Sequence, residues 1–171
     1  MLGPSRSELQ RPLTVRRAKA QDAPAIAKVY VDTWREAYRG QLPEDYLGTY
    51  LQRLRAPLAP PSWRVAAFVA EMDDRVIGIA SGGRSRRQAL AGRQIYMLYV
   101  HPDQHGAGIG RALFDACHFE LARRRYAGTL VWVLASNPAR GFYEHLGGER
   151  VAENTLEIGG SRVLGSYLWR D

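Results

Sequence analysis

Cysteine is almost missing from this sequence. Cys117 stands alone, so no internal disulfide can form, and the usage fits a reducing cytoplasm. Long apolar runs are missing too. No stretch approaches 18 apolar residues, so no membrane-spanning helix and no membrane partner are expected. The N-terminal MLGPSRSELQRPL lacks the apolar centre of a signal peptide, and residues 1–12 are expected to form a disordered leader. There is no internal repeat, no low-complexity tract and no linker long enough to divide the chain. Residues 13–171 are therefore expected to form a single domain, large enough to bury roughly 70% of its unfolded surface. No zinc-finger spacing occurs, and no metal site is expected.

What the sequence does carry is positive charge. Lys and Arg total 24 against 17 Asp and Glu, a formal net charge of +7, almost all of it arginine. Such a balance attracts either nucleic acid or a small polyanion such as a nucleotide cofactor. No RRM, KH, zinc-finger or recognition-helix pattern appears, which argues against nucleic acid. The hydrophobic content of 46% is ordinary for a globular protein.

Periodicity sets the element order. Thr14 to Ala18 reads as a strand. Asp22 can cap a helix with Pro24 in its first turn. Ile26, Val29, Tyr30, Thr33, Trp34 and Ala37 then recur at helical spacing up to Gly40. A second helix is expected from Pro43, and a proline-rich loop over residues 56–61. Arg64–Met72 and Val76–Ser81 read as strands joined by an Asp73-Asp74 turn. Ile95–Val100 is a buried β-branched and aromatic strand. A helix follows from Gly108 to about Arg125, then a strand at Thr129–Leu134 and a short helix at Pro138–Leu146. Two strands are expected around Gly159-Gly160. The order β-α-α-β-β-β-α-β-α-β-β predicts an α/β (α+β) layered domain with a mixed, mostly antiparallel sheet.

The segment IYMLYVHPDQHGAGIGRAL, residues 95–113, carries the strongest functional signal. Gly106, Gly108 and Gly110 lie where a buried strand becomes a helix, letting the backbone turn tightly and approach a ligand. The first amides of that helix lack intrahelical partners, and the helix dipole adds partial positive charge. The combination suits a phosphate or diphosphate. A Walker A loop would end Gly-Lys-Ser/Thr, whereas this one ends Gly110-Arg111-Ala112. A Rossmann fingerprint requires G-x-G-x-x-G, whereas the spacing here is G-x-G-x-G.

The segment resembles motif A of the GNAT (Gcn5-related) N-acetyltransferase superfamily, which reads Arg/Gln-x-x-Gly-x-Gly/Ala after an apolar strand. His105 stands at the Arg/Gln position, a departure from that pattern. A second stretch, Asn137-Pro138-Ala139-Arg140-Gly141-Phe142-Tyr143-Glu144-His145-Leu146-Gly147-Gly148, is similar to the family's motif B. The resemblance implies a GNAT fold and an acyl-CoA-dependent N-acetyltransferase using acetyl-CoA. It implies that Leu98, Tyr99 and Val100 pair with the pantetheine arm as an added strand would. It places the diphosphate on His105, Gly106, Ala107, Gly108, Ile109, Gly110 and Arg111, with Asn137 in the strand gap. Tyr143 is then the general acid that protonates the leaving thiolate. Between unperturbed groups with pKa values of about 10 and 8.5 this transfer is uphill by roughly 2 kcal/mol, so the site must assist it. Taken singly, Asn137 reads as a helix cap and Tyr143 as a core aromatic; the two motifs in sequence order favour the functional reading.

An alkylamine, pKa about 10.4, must lose a proton before it can attack. The two positions where the family often carries a base hold Gln94 and Trp132, and neither accepts a proton. Glu36, Asp32 and Glu71 are the remaining candidates, with Glu36 taken as the base. Asp32, Trp34, Tyr38 and Glu71 are expected to bind the acceptor, a small-molecule or peptide amine. Arg84, Arg86 and Arg87 have three readings: a solvated loop, an attraction for an acidic acceptor, or an attraction for the cofactor's 3′-phosphate. The missing base also suggests an alternative, a non-catalytic acyl-CoA-binding regulator on the same fold. A homodimer is compatible with the sequence.

Overall fold

The computed structural model describes residues 12–37, 66–123, 127–134, 137–157 and 161–169. Strand β1 (Thr14–Arg17) leads through a 3-10 turn (Ala20–Asp22) into helix α1 (Ala23–Ala37). Strands β2 (Ala66–Met72), β3 (Arg75–Arg84) and β4 (Arg93–Val100) follow. Then come helix α2 (Ile109–Ala122), strand β5 (Thr129–Leu134), helix α3 (Arg140–His145), and strands β6 (Glu149–Glu157) and β7 (Ser161–Trp169). The strands form one seven-stranded sheet in the order β1-β2-β3-β4-β5-β7-β6. Every neighbouring pair is antiparallel except β4 and β5. This is the mixed, mostly antiparallel architecture expected. The second helix expected from Pro43, the proline loop, Tyr38, the leader up to residue 11 and the Gly159-Gly160 turn lie outside the described residues.

Strand alternation explains why helices cover both faces of the sheet. Successive side chains point to opposite sides, so Ala70 and Ala80 face α2 while their neighbours Val69 and Ile79 face α1; all four are fully buried. α1 presents Ile26 and Val29 to Val69 and Ile79. α2 presents Leu113, Phe114, Cys117 and Leu121 to the other face. α2 lies directly on β3 because Gly78 and Gly82 carry no side chain. A Cβ at Gly78 would come within 2.8 Å of Leu113 Cδ1, and one at Gly82 within 2.8 Å of Leu121 Cδ1.

Two local details follow from side-chain chemistry. Met72 pairs with Arg75, so Asp73 and Asp74 form a two-residue hairpin loop, both at positive φ (52° and 58°). This is the backbone that hairpin twist requires, and Asp tolerates it better than most residues. Asp22 precedes α1 as expected, but its carboxylate turns back instead of capping the helix. It accepts from the Lys19 amide at 2.7 Å and from both terminal nitrogens of Arg16 at 2.8 and 2.9 Å. The charge-assisted bonds to Arg16 outcompete a neutral cap, and they hold the Asp22 carboxyl below its ordinary range despite its burial.

Candidate active site

The site begins with an irregularity in β4. Gly82 of β3 faces Ile95, and the next residue back, Ser81, faces Met97. Tyr96 is therefore an extra residue, a β-bulge, which bends a strand and increases its twist. β4 also pairs with β5 only through Arg93, Gln94 and Ile95. From the bulge onward the two parallel strands diverge, and a cleft of about 920 Å³ opens between them. That size suits a large, extended ligand.

One end of the cleft is the glycine loop. Gly108 sits at φ 76° and ψ 0° at the start of α2, and a Cβ built there would meet nothing within 4 Å. The loop is thus an open cradle in front of the helix's unpaired first amides. A Cβ on Gly110 would come to 3.3 Å from Phe142 Cε2, so that position stays small to let α3 pack on α2. The His105 side chain turns back on the strand before it, with Nε2 2.9 Å from the Val100 carbonyl. A carbonyl only accepts, so Nε2 carries the hydrogen, and the ring fastens the loop to the end of β4. This departure from the motif thus closes the loop through the side chain.

The middle and far end of the cleft are formed by β4, β5, α1 and α3. Asn137 Oδ1 accepts from the Ala139 amide at 2.8 Å, holding the turn into α3. Tyr143, on α3, is buried and lines the cleft, edge-on to Phe142 with ring centroids 5.2 Å apart. Trp34 and Tyr99 form a fixed wall, with Trp34 Nε1 donating to the Tyr99 hydroxyl at 3.1 Å and Tyr30 packed edge-on to Tyr99 at 4.8 Å. Glu36, in the last turn of α1, is exposed and lines the same cleft.

The structure brings together most of the residues singled out in the sequence. Leu98, Tyr99, Val100, His105, Gly106, Gly108, Ile109, Gly110, Arg111, Asn137, Tyr143, Trp34 and Glu36 all line the cleft. Ala107 lies between two lining glycines without lining it. Asp32 and Glu71 do not come to the cleft. Asp32 faces Lys28 at 2.5 Å and His101 at 3.8 Å, whereas Glu71 on β2 is held by Arg16 at 2.6 Å. Each carboxylate is drawn aside by a nearby cation, a competition that spacing along the chain does not reveal. Tyr96 was not anticipated as a site residue. It is 37% exposed between the buried Ile95 and the half-buried Met97. Its hydroxyl donates to the Arg84 carbonyl at 2.5 Å.

This arrangement matches known proteins. Residues 63–147 match the family described as Acetyltransferase (GNAT) domain. Over 159 residues, 88% of each chain, the sequence is 36% identical to the uncharacterized N-acetyltransferase YuaI of Bacillus subtilis strain 168. The chain belongs to the GNAT acetyltransferase family. Its fold is similar to that of a GCN5-related N-acetyltransferase from Rhodopseudomonas palustris, with a TM-score of 0.76 at 21% identity over 95% of this chain and 98% of that one. It is also similar to the PaiA N-acetyltransferase of Thermoplasma acidophilum, solved with coenzyme A, with a TM-score of 0.72 at 14% identity over 93% and 100%. As a GNAT acetyltransferase the protein uses acetyl-CoA as its acyl donor. Among the described residues no helix is long and apolar enough to cross a membrane.

Proposed function

We propose that this GNAT protein moves the acetyl group of acetyl-CoA directly to the amine of a small molecule or peptide, with Tyr143 as general acid and Glu36 as base. The observation that carries the reading is the parting of β4 from β5 at the Tyr96 bulge, which runs an open strand edge from the α2 cradle to Tyr143. The Gly106–Arg111 loop binds the diphosphate, and the freed edge of Leu98–Val100 takes the pantetheine arm as a further strand. The thioester carbon then lies where an amine entering past Trp34 and Glu36 meets it.

An ammonium gives up two protons in becoming an amide. Glu36, directly or through water, takes the one that frees the lone pair, and this proton leaves to solvent. The amine nitrogen bonds to the acyl carbon, the carbon–sulfur bond breaks, and Tyr143 donates its phenolic proton to the departing sulfur. Tyr143 regains a proton from the amine nitrogen, and the protons balance. Burial of Tyr143 keeps water from competing for that transfer.

Calorimetry with acetyl-CoA, followed by a thiol-release screen over amines, amino acids, peptides and aminoglycosides, tests the reading. Tyr143→Phe should keep acetyl-CoA affinity and lose about 10²–10⁴-fold in turnover, the usual worth of a positioned acid. Unchanged turnover would remove Tyr143 from its role. The non-catalytic alternative draws on Gln94, whose side chain accepts from the Arg86 amide at 3.2 Å and so serves the loop, where relatives often carry a base. Tight acetyl-CoA binding with no thiol release across the whole screen would favour that alternative.

A further inference from the structure

Arg86 does not itself line the cleft but stacks on Tyr96, which does, and a set of contacts that acetyl transfer through Tyr143 and Glu36 does not use holds it there. Its amide donates to the buried Gln94 side chain at 3.2 Å. The preceding residue, Ser85, is buried. Its amide donates to the Gly92 carbonyl at 3.0 Å, and its hydroxyl accepts from the Arg87 amide at 3.0 Å. Gly92 is tied in turn to the Ala127 carbonyl at 2.7 Å. The β3–β4 loop is therefore anchored, not a freely solvated arm. The Arg86 guanidinium lies over the Tyr96 ring, 5.3 Å from the centroid, and Tyr96 itself lines the cleft. The ring is locked by its hydroxyl on the Arg84 carbonyl.

A guanidinium laid on an aromatic face keeps its in-plane N–H fork available, and that fork matches a carboxylate or phosphate. Arg84, by contrast, lies off that ring and ties one terminal nitrogen to Gln88 at 3.0 Å. Among the described residues Glu36 is the carboxylate lining the cleft, and Arg86 sets a positive charge behind another lining residue, Tyr96. Position separates the Arg86 cation from the cofactor's phosphates. Tyr96 precedes Val100 by four residues, roughly 13 Å of strand at about 3.3 Å per residue, and the diphosphate cradle begins only beyond Val100. That exceeds the screening length of about 8 Å in physiological salt.

We infer that Arg86, mounted on Tyr96, grips an anionic group on the acceptor, so that the amine taken by this site also bears a carboxylate or phosphate. The inference rests on the acetyltransferase reading above and names the substrate class of the same site.

The test measures kcat/KM for matched pairs of amines differing only in that group. Amino acids are compared with their amides, and aminoalkyl phosphates with the corresponding amino alcohols. The first pair reads carboxylate, the second phosphate. The wild-type protein should favour at least one anionic class tenfold or more. Arg86→Gln should abolish that preference while leaving the acetyl-CoA Kd within twofold, Arg86→Lys should retain part of it, and Arg84→Gln should retain nearly all of it. Equal rates within both pairs, or a preference untouched by Arg86→Gln or removed equally by Arg84→Gln, would overturn the inference and leave the acetyltransferase standing. Absence of acetyl-CoA binding by the folded wild-type protein would instead overturn the reading beneath it.

Discussion

Gly108 and Gly147 offer a matched pair of substitutions that separates backbone strain from ligand binding. Both sit at positive φ, 76° and 84°, and a Cβ at either would meet nothing within 4 Å. Alanine at either position therefore incurs the left-handed backbone penalty alone, about 1–2 kcal/mol. For a domain of this size that is a fall in Tm of roughly 2–8 °C, at about 2–4 °C per kcal/mol. The two differ in what lies in front of them. Gly147 closes α3, donating to the Glu144 carbonyl at 2.9 Å, away from the cleft lining. Gly108 stands before the free amides of α2 and lines the cleft. A methyl group there displaces a diphosphate from at least one charge-assisted amide bond, worth about 1.5–3 kcal/mol. Calorimetry should thus show acetyl-CoA binding about 10- to 150-fold weaker in Gly108→Ala and within twofold of wild type in Gly147→Ala, with similar losses in Tm. If Gly108→Ala bound acetyl-CoA as tightly as Gly147→Ala, the diphosphate would not rest on these amides.

Burial pushes the Cys117 thiol up to about 12, with nearby Glu120 adding to the effect. At pH 8 only about one molecule in 10⁴ then carries the thiolate; iodoacetamide should leave the native protein unmodified for hours and label one thiol after denaturation. Asp22 is held below its ordinary range by Arg16, so its contribution to stability is present above about pH 4 and is lost as pH falls through the depressed folded value. Asp22→Asn should cost about 2 kcal/mol at pH 7, discounted from the buried-pair figure because Arg16 is partly exposed. Its Tm should also fall less steeply on acidification than that of the wild type. A variant whose Tm tracks the wild type in parallel from pH 7 to pH 3 would show that the pair is not the acid-sensitive element.

The two ends of the cleft were legible in the sequence for different reasons. Three glycines between an apolar strand and a helical period can be read because no other residue type turns the backbone so readily. Asn137 and Tyr143 stood out only through the resemblance to motif B; singly they read as a cap and a core aromatic, and the helix in fact begins after Ala139, with Asn137 Oδ1 holding the turn before it. The Asp73-Asp74 hairpin was legible because two strand-like runs flank a pair of turn-favouring aspartates. The carboxylates were not, since Asp32, Glu36 and Glu71 are alike in sequence. What sorts them is the position of Lys28 and Arg16 in three dimensions, which leaves Glu36 at the cleft. His105 looked like a weakened motif position because its bond to the Val100 carbonyl depends on how the chain leaves β4.

The bulge at Tyr96 was the hardest feature to foresee, and several properties converge on it. Ile95–Val100 reads as an uninterrupted apolar strand, and a bulge leaves no compositional mark in such a run; only Gly82-Gly83, on the partner strand, hints at irregular pairing. One extra residue shifts the face to which every later side chain points. It sends Leu98 and Val100 to the α2 side and Met97 and Tyr99 to the α1 side. With a regular register, β4 could continue alongside β5 past Ile95, and the strand edge we propose for the pantetheine arm would be closed. The same extra residue turns Tyr96 out of the sheet to meet Arg84 and Arg86. Opening the cleft between β4 and β5 and setting Tyr96 against Arg86 are thus a single backbone event. Substituting the Tyr96 side chain should therefore alter acceptor choice while leaving the acetyl-CoA groove in place.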